Sequence, residues 1–229
     1  MIHNYDDFMQ ALQAAGFSLG GANAGGIFTL LPWAWNEPPP YDTPVRWYTG
    51  DPALDPNEWI GRAMAARVAY GKLFFKKSGF ITEAWLPYFL AVRRGGTSFD
   101  RRYERGEISH AAKRIYEVLR THDKLVVEDV KQLANFTREE KSAFDRGLTE
   151  LQMRLFISPC GRRYKVSKTG EEYGMASTIF CLTEHFCGEA AMAQAASIDP
   201  TEAAQKISAQ VKVLNPQATD KNIGKFIFG

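Results

Sequence analysis

The sequence predicts a mainly helical fold with short β-hairpins: a winged helix-turn-helix unit, with a tandem pair of such units as the extended reading. Three observations lead there. From residue 109 to residue 153, apolar residues recur at helical spacing in three consecutive segments. Directly behind them, residues 155–168 alternate apolar and polar in two short arms. A chain of 229 residues with 45% hydrophobic and 13% aromatic content also suffices to bury a sizeable core.

In chain order, residues 1–57 read as an irregular acidic segment packed on the body. One short helix, Asp6 to Ala15, places Phe8, Met9, Leu12 and Ala15 on one face. Gly16, Gly20, Gly21, Gly25 and Gly26 then interrupt any regular pattern, and Pro38-Pro39-Pro40 closes the next apolar piece. The glycine-rich stretch has neither a Gly-Lys-Ser/Thr ending nor a GxGxxG register, so turn chemistry explains it better than phosphate binding. Trp33, Trp35, Trp47, Tyr48 and Trp59 are expected to form an aromatic layer over the helical body.

Residues 58–108 read either as a plain helical subdomain or as a degenerate first winged helix. A helix from Glu58 would bury Ile60, Met64, Val68 and Leu73 to Phe75. Its outer face would carry Arg62, Arg67, Lys72, Lys76 and Lys77 with no acid among them. Gly79 ends that segment. Thr82 is placed to cap a second helix, Glu83 to Arg93, with Trp85, Phe89 and Val92 inward.

Residues 109–174 read as one complete winged helix. Ser109 caps a first helix that buries Ala112, Ile115, Val118 and Leu119 and turns Lys113, Arg114 and Arg120 outward. The second helix runs from about Val127 to Ala134, with Val130, Leu133 and Ala134 inward. Thr137-Arg138-Glu139-Glu140 has the pattern of a capping box, in which the Thr137 hydroxyl accepts from the third helical amide and Glu140 reaches back. The third helix then buries Phe144, Leu148 and Leu151. Its outward side offers Arg138, Lys141, Ser142, Asp145, Arg146 and Thr149. In the hairpin behind it, Pro159-Cys160-Gly161 is expected to be the turn and Arg162 to Lys168 the second arm.

Residues 175–229 read as C-terminal helices. Asp199-Pro200-Thr201-Glu202 combines a cap, a proline at the first helical position and a glutamate three residues after the cap, and so opens a helix over Ala203 to Val213. A last helix, Asp220 to Phe228, would dock through Ile223, Phe226 and Ile227, with a homodimer contact as the alternative if that face is exposed.

The formal net charge of +2 hides a division. Residues 1–60 hold seven acids against Arg46 alone, whereas Arg154 to Lys168 holds five bases and no acid. Such asymmetry points to an anionic partner for the basic part. The third helix is balanced, with four acids and four bases between Arg138 and Arg154, so the hairpin carries the attraction for phosphate. On that reading Arg138, Lys141, Ser142, Asp145, Arg146 and Thr149 face bases, while Arg162, Arg163, Lys165 and Lys168 hold phosphates of double-stranded DNA.

Three cysteines, Cys160, Cys181 and Cys187, fit reduced thiols in a cytoplasmic protein better than a disulfide framework. Cys181, His185 and Cys187 lie close in sequence but lack CxxC spacing, so buried thiols are expected rather than a metal site. No cofactor is expected. No apolar run approaches the roughly 20 residues of a membrane span, and no basic segment opens a secretory signal.

The run Ala143-Phe144-Asp145-Arg146-Gly147-Leu148-Thr149-Glu150-Leu151-Gln152, the following Arg154-Leu155-Phe156-Ile157, the basic wing and Thr169-Gly170-Glu171-Glu172-Tyr173-Gly174 resemble the winged-helix core of AlkZ-like proteins. That family includes bacterial DNA glycosylases that excise alkylated bases and unhook crosslinks, built from several winged-helix-type units on one DNA-binding face. The resemblance implies DNA binding, in a transcriptional regulator or a relative of repair enzymes. Those glycosylases hold the attacking water with a Gln-x-Gln or Gln-x-Asp pair, and no glutamine here is followed two positions later by Gln or Asp. The resemblance therefore carries over no catalytic residue. Base excision and a protein-interaction module without nucleic acid remain the alternatives.

Overall fold

The computed structural model of the chain describes residues 2–21, 24–32, 43–167 and 169–229. The expected roles of Trp33, Trp35 and Lys168 lie outside the described residues. The fold is mixed α/β, rich in helix, with two small antiparallel three-stranded sheets.

The first sheet begins in the acidic segment. Helix α1 (Tyr5–Ala15) starts at Asn4, whose side chain accepts from the Asp7 N–H, and ends at Gly16 with φ +87°. Strand β1 (Phe17–Leu19) follows at once and is buried throughout. Helix α2 (Pro56–Ala65) is capped by the buried Asp55, with Pro56 at its first position. It ends far earlier than the helical spacing predicts. Residues 69–81 instead form a hairpin, β2 (Ala69–Phe74) and β3 (Lys77–Ile81), and β3 lies between β1 and β2. The apolar positions Leu73 and Phe74 are buried as expected, but in a strand. Its two turn residues, Phe75 and Lys76, both have positive φ (52° and 60°), as a two-residue hairpin of matching twist requires.

Helix α3 (Leu86–Arg94) starts three residues later than expected, without a side-chain cap. Thr82 is buried and its hydroxyl donates to the Gly16 carbonyl, so it ties α1 to the strand end rather than capping α3. Helix α4 (Phe99–Glu104) leads to α5 (His110–Thr121), where Ser109 accepts from the Ala112 N–H as predicted. Strand β4 (Leu125–Val126) and helix α6 (Val127–Leu133) come next; Val130 and Ala134 are buried, but Leu133 is 45% exposed. Helix α7 (Lys141–Met153) precedes the long hairpin β5 (Ile157–Val166) and β6 (Glu172–Leu182). Pro159-Cys160-Gly161 is therefore no turn. It is a register shift inside β5, and the chain reverses at Ser167, whose N–H donates to the Glu171 carbonyl.

The two sheets share one strand order, β1-β3-β2 and β4-β6-β5. In each, a short strand behind a helix pairs with the second arm of a later hairpin. The partner strand of the first hairpin thus comes from the N-terminal segment, outside residues 58–108.

The chain closes with α8 (Thr183–Ser197), α9 (Pro200–Leu214) and α10 (Asp220–Phe228). Asp199 accepts from the Thr201 and Glu202 N–H groups, the predicted cap. Ile223, Phe226 and Ile227 are buried, and the Phe226 ring stacks on Phe74 of β2 at 4.0 Å between centroids. Such a pair contributes about 0.5–1.5 kcal/mol beyond its buried area. The last helix is thereby fastened to the first sheet.

Candidate nucleic-acid interface

Helix α7 is held at its start by Arg114. One oxygen of Glu140 accepts from Arg114 Nη1 at 2.7 Å and the other from the Thr137 N–H at 2.9 Å. Both bonds favour the charged carboxylate and hold its pKa below the ordinary value. Arg114 also donates to the carbonyls of Ala134 and Asn135 and lies over the Phe136 ring. It serves the α6–α7 turn instead of pointing outward. The reach-back half of the predicted capping box is present. The helix itself starts after Glu140 without a side-chain cap, so the hydroxyl half of the box is not formed.

Along the exposed side of α7, Lys141 Nζ meets Asp145 Oδ2 at 2.6 Å and Arg146 Nη1 donates to Ser142 Oγ at 2.8 Å. These are neighbours four residues apart, one turn along the helix. Arg138 is exposed just before the helix. Thr149 departs from the expectation: it is 9% exposed, its hydroxyl donates to the Asp145 carbonyl, and Lys72 Nζ stands 3.5 Å away. Strand β2 packs on this part of α7, and that cover was invisible to a helical wheel.

A cleft of about 890 Å³ opens between α7 and the first hairpin. One wall is α7, from Lys141 to Glu150; facing it are Lys72 and Lys76, and Arg102 and Arg154 also line it. The floor includes Val92, Arg93, Met153 and the exposed ring of Phe228. Seven cationic side chains line the cleft, the buried Arg93 among them, against two side-chain carboxylates, Asp145 and Glu150. Five of the six residues assigned to the third helix meet here, with Arg138 the exception. Lys72, Lys76, Arg102 and Arg154 were not assigned to the site. For Lys72 and Lys76 the signal is the acid-free run from Arg62 to Lys77, whose second half belongs to a hairpin rather than to the outer face of a helix.

Arg93 organises the floor. Its buried guanidinium donates to the carbonyls of Leu73, Met153, Phe226 and Ile227 at 2.7–2.9 Å. It thereby joins β2 to the C-terminal ends of α7 and α10, where unsatisfied carbonyls concentrate. Burial pulls its pKa down to about 9, so it stays charged at neutral pH.

The predicted wing residues lie elsewhere and split between two faces, as successive strand residues must. Arg162 donates to the Asn57 carbonyl at 2.7 Å, and Tyr164 donates to Glu58, so both are turned onto α2. Arg163 is 62% exposed, with Asp129 at 4.0 Å, and Lys165 is exposed. None of these lines the cleft.

Cys160 and Cys181 lie on the paired strands β5 and β6, Cys160 Sγ donating to the Ile179 carbonyl and Cys181 Sγ to the Ser158 carbonyl; each thiol acts on the other, which holds the Cys160 pKa down and pushes that of Cys181 up. Burial pushes the Cys187 thiol up to about 11. His185 Nδ1 approaches Asp123 at 3.5 Å. Among the described residues no group of three or more His, Cys, Asp or Glu is placed to hold a metal, and no helix is long and apolar enough to cross a membrane.

Two like-ordered three-stranded sheets and a cation-lined cleft between α7 and the first hairpin define a helix-rich mixed α/β protein. The chain belongs to the AlkZ-related family, whose model matches residues 2–228. No curated protein and no solved structure matches it.

Proposed function

We propose that the protein is a DNA-binding member of this family that grips duplex DNA without cutting it, as a regulator or a non-catalytic relative of the repair enzymes. On this reading residues 5–81 and 110–182 are two tandem winged-helix units. Arg138, just before α7, and the exposed side of the helix, with Lys141, Ser142, Asp145 and Arg146, face the bases, and Arg163 and Lys165 of the β5–β6 hairpin hold phosphates.

The observation that carries it is the convergence of the polar side of α7 with Lys72 and Lys76 on one cleft with seven cations against two side-chain carboxylates. A polyanion is the partner such a field attracts. The missing Gln-x-Gln or Gln-x-Asp pair favours binding over base excision.

The test is a salt titration of binding to random-sequence duplex, alkylated duplex and the same duplexes after incubation. Affinity should fall linearly with log salt, and alkylated duplex should accumulate no abasic sites. No complex with any DNA at low salt would move the protein to the interaction-module reading.

A further inference from the structure

We infer that the cleft beneath the β2–β3 turn takes an unpaired stretch of DNA, so that a forked or gapped duplex is preferred over a continuous one. This rests on the DNA-binding reading and deepens it. At about 890 Å³ the cleft falls within the size range of small-molecule sites, about 300–1,000 Å³, room for a nucleotide rather than for a flat surface contact.

Its lining has the two components that hold single strands, cations for the backbone and a ring for a base. Lys76 is exposed, makes no hydrogen bond or ion pair with the described residues, and is held at φ +60° at the cleft's edge. Arg146 lines the same cleft from α7 and, among the described residues, bonds the Ser142 hydroxyl and no acid. Arg102 adds a buried Nε–H that meets no acceptor among the described residues, a donor whose cost an anionic oxygen would relieve. Phe228, 64% exposed, offers its ring from the floor. The exposed Arg138, just before α7, lies outside the cleft, next to Lys141 at its rim. A duplex lying there would lead its separated strand under Lys76.

The experiment measures binding of the full chain at low salt to a blunt duplex and to the same duplex bearing a short unpaired dT arm. The fork is expected to bind about tenfold more tightly, the scale of one stacked base. The double variant Lys76→Glu/Arg146→Glu should bring the two substrates to within about twofold. A 2-aminopurine in the arm should be quenched on binding and lose that quenching in Phe228→Ala, a readout that does not depend on affinity. Equal affinity of the native protein for fork and blunt duplex overturns this inference and leaves the duplex-binding reading standing. So does a preference that survives both variants. Binding of dTMP by a protein without fork preference gives the cleft to a free mononucleotide and overturns it too. Absence of any DNA complex overturns both readings together.

Discussion

Gln152 of α7 accepts a hydrogen bond from the Lys72 backbone N–H at 3.0 Å, and its own amide donates to the Leu148 carbonyl at 3.0 Å. A buried side chain from the second half thus completes the hydrogen bonding of a strand in the first. Gly71 makes the approach feasible, since its φ is +154° and a Cβ there would stand 2.8 Å from Gln152 Oε1.

Gln152→Leu is expected to leave the Lys72 N–H without its acceptor and to cost about 1–3 kcal/mol. Gly71→Ala should cost at least as much, because it combines a disfavoured φ with the clash. Thermal melts of both variants check this. For a chain of this size each kcal/mol lowers Tm by roughly 2–4 °C, and a Gln152→Leu variant that melts with the native protein would remove the bond from the account.

Arg93 satisfies four carbonyls from three elements with one rigid fork. Replacing it by methionine keeps the apolar stem but strands those oxygens, for an expected loss of at least about 3 kcal/mol. Arg93→Lys should rescue little, since an ammonium offers three donors in the wrong directions. Urea unfolding of the two variants separates geometry from charge: recovery by lysine would mean that only the charge matters.

The Arg114–Glu140 pair predicts an acid limb of stability. The Glu140 carboxyl is held below its ordinary value of 4.5, first by the Arg114 bond and then by the Thr137 N–H. A depressed carboxylate contributes fully above its unfolded pKa, and the contribution fades as pH falls through the lower folded value. Native protein should therefore outlast Glu140→Gln in thermal melts from neutrality down to the ordinary carboxyl value of 4.5, with the gap closing only as pH drops below it. A gap independent of pH would assign the effect to something other than the charge.

How far the sequence spoke depended on how local the cause was. The Ser109 and Asp199 caps and the buried face of α10 follow from neighbours within one or two turns, and all were legible. The first hairpin was not. Leu73 and Phe75 fit a helical stripe as well as a strand, and a Phe75-Lys76 turn lacks the glycine or asparagine that announces such a reversal. Its partner β1 lies some fifty residues upstream, beyond any periodicity. Pro159-Cys160-Gly161 has turn composition, yet β6 pairs on both sides of it and absorbs the extra residue as a bulge. The cleft combined both problems, since it needs α7, which was legible, opposite a hairpin that was not.

The split of the wing predicts that two adjacent arginines will behave differently. Arg162 spends its donors on Asn57 of α2, so Arg162→Ala should lower stability by about 1 kcal/mol and leave the salt slope of DNA binding unchanged. Arg163 stands mostly in solvent with Asp129 at 4.0 Å, too distant and too exposed to compete with a phosphate. Arg163→Ala and Lys165→Ala should each reduce the slope of log affinity against log salt by about 0.9, the release of one counterion per phosphate contact, without changing Tm. Measuring the slope and the melt on the same three variants decides the matter. If Arg162→Ala reduces the slope while Arg163→Ala does not, the opposite face of β5 meets the nucleic acid and α2 must release Arg162 on binding.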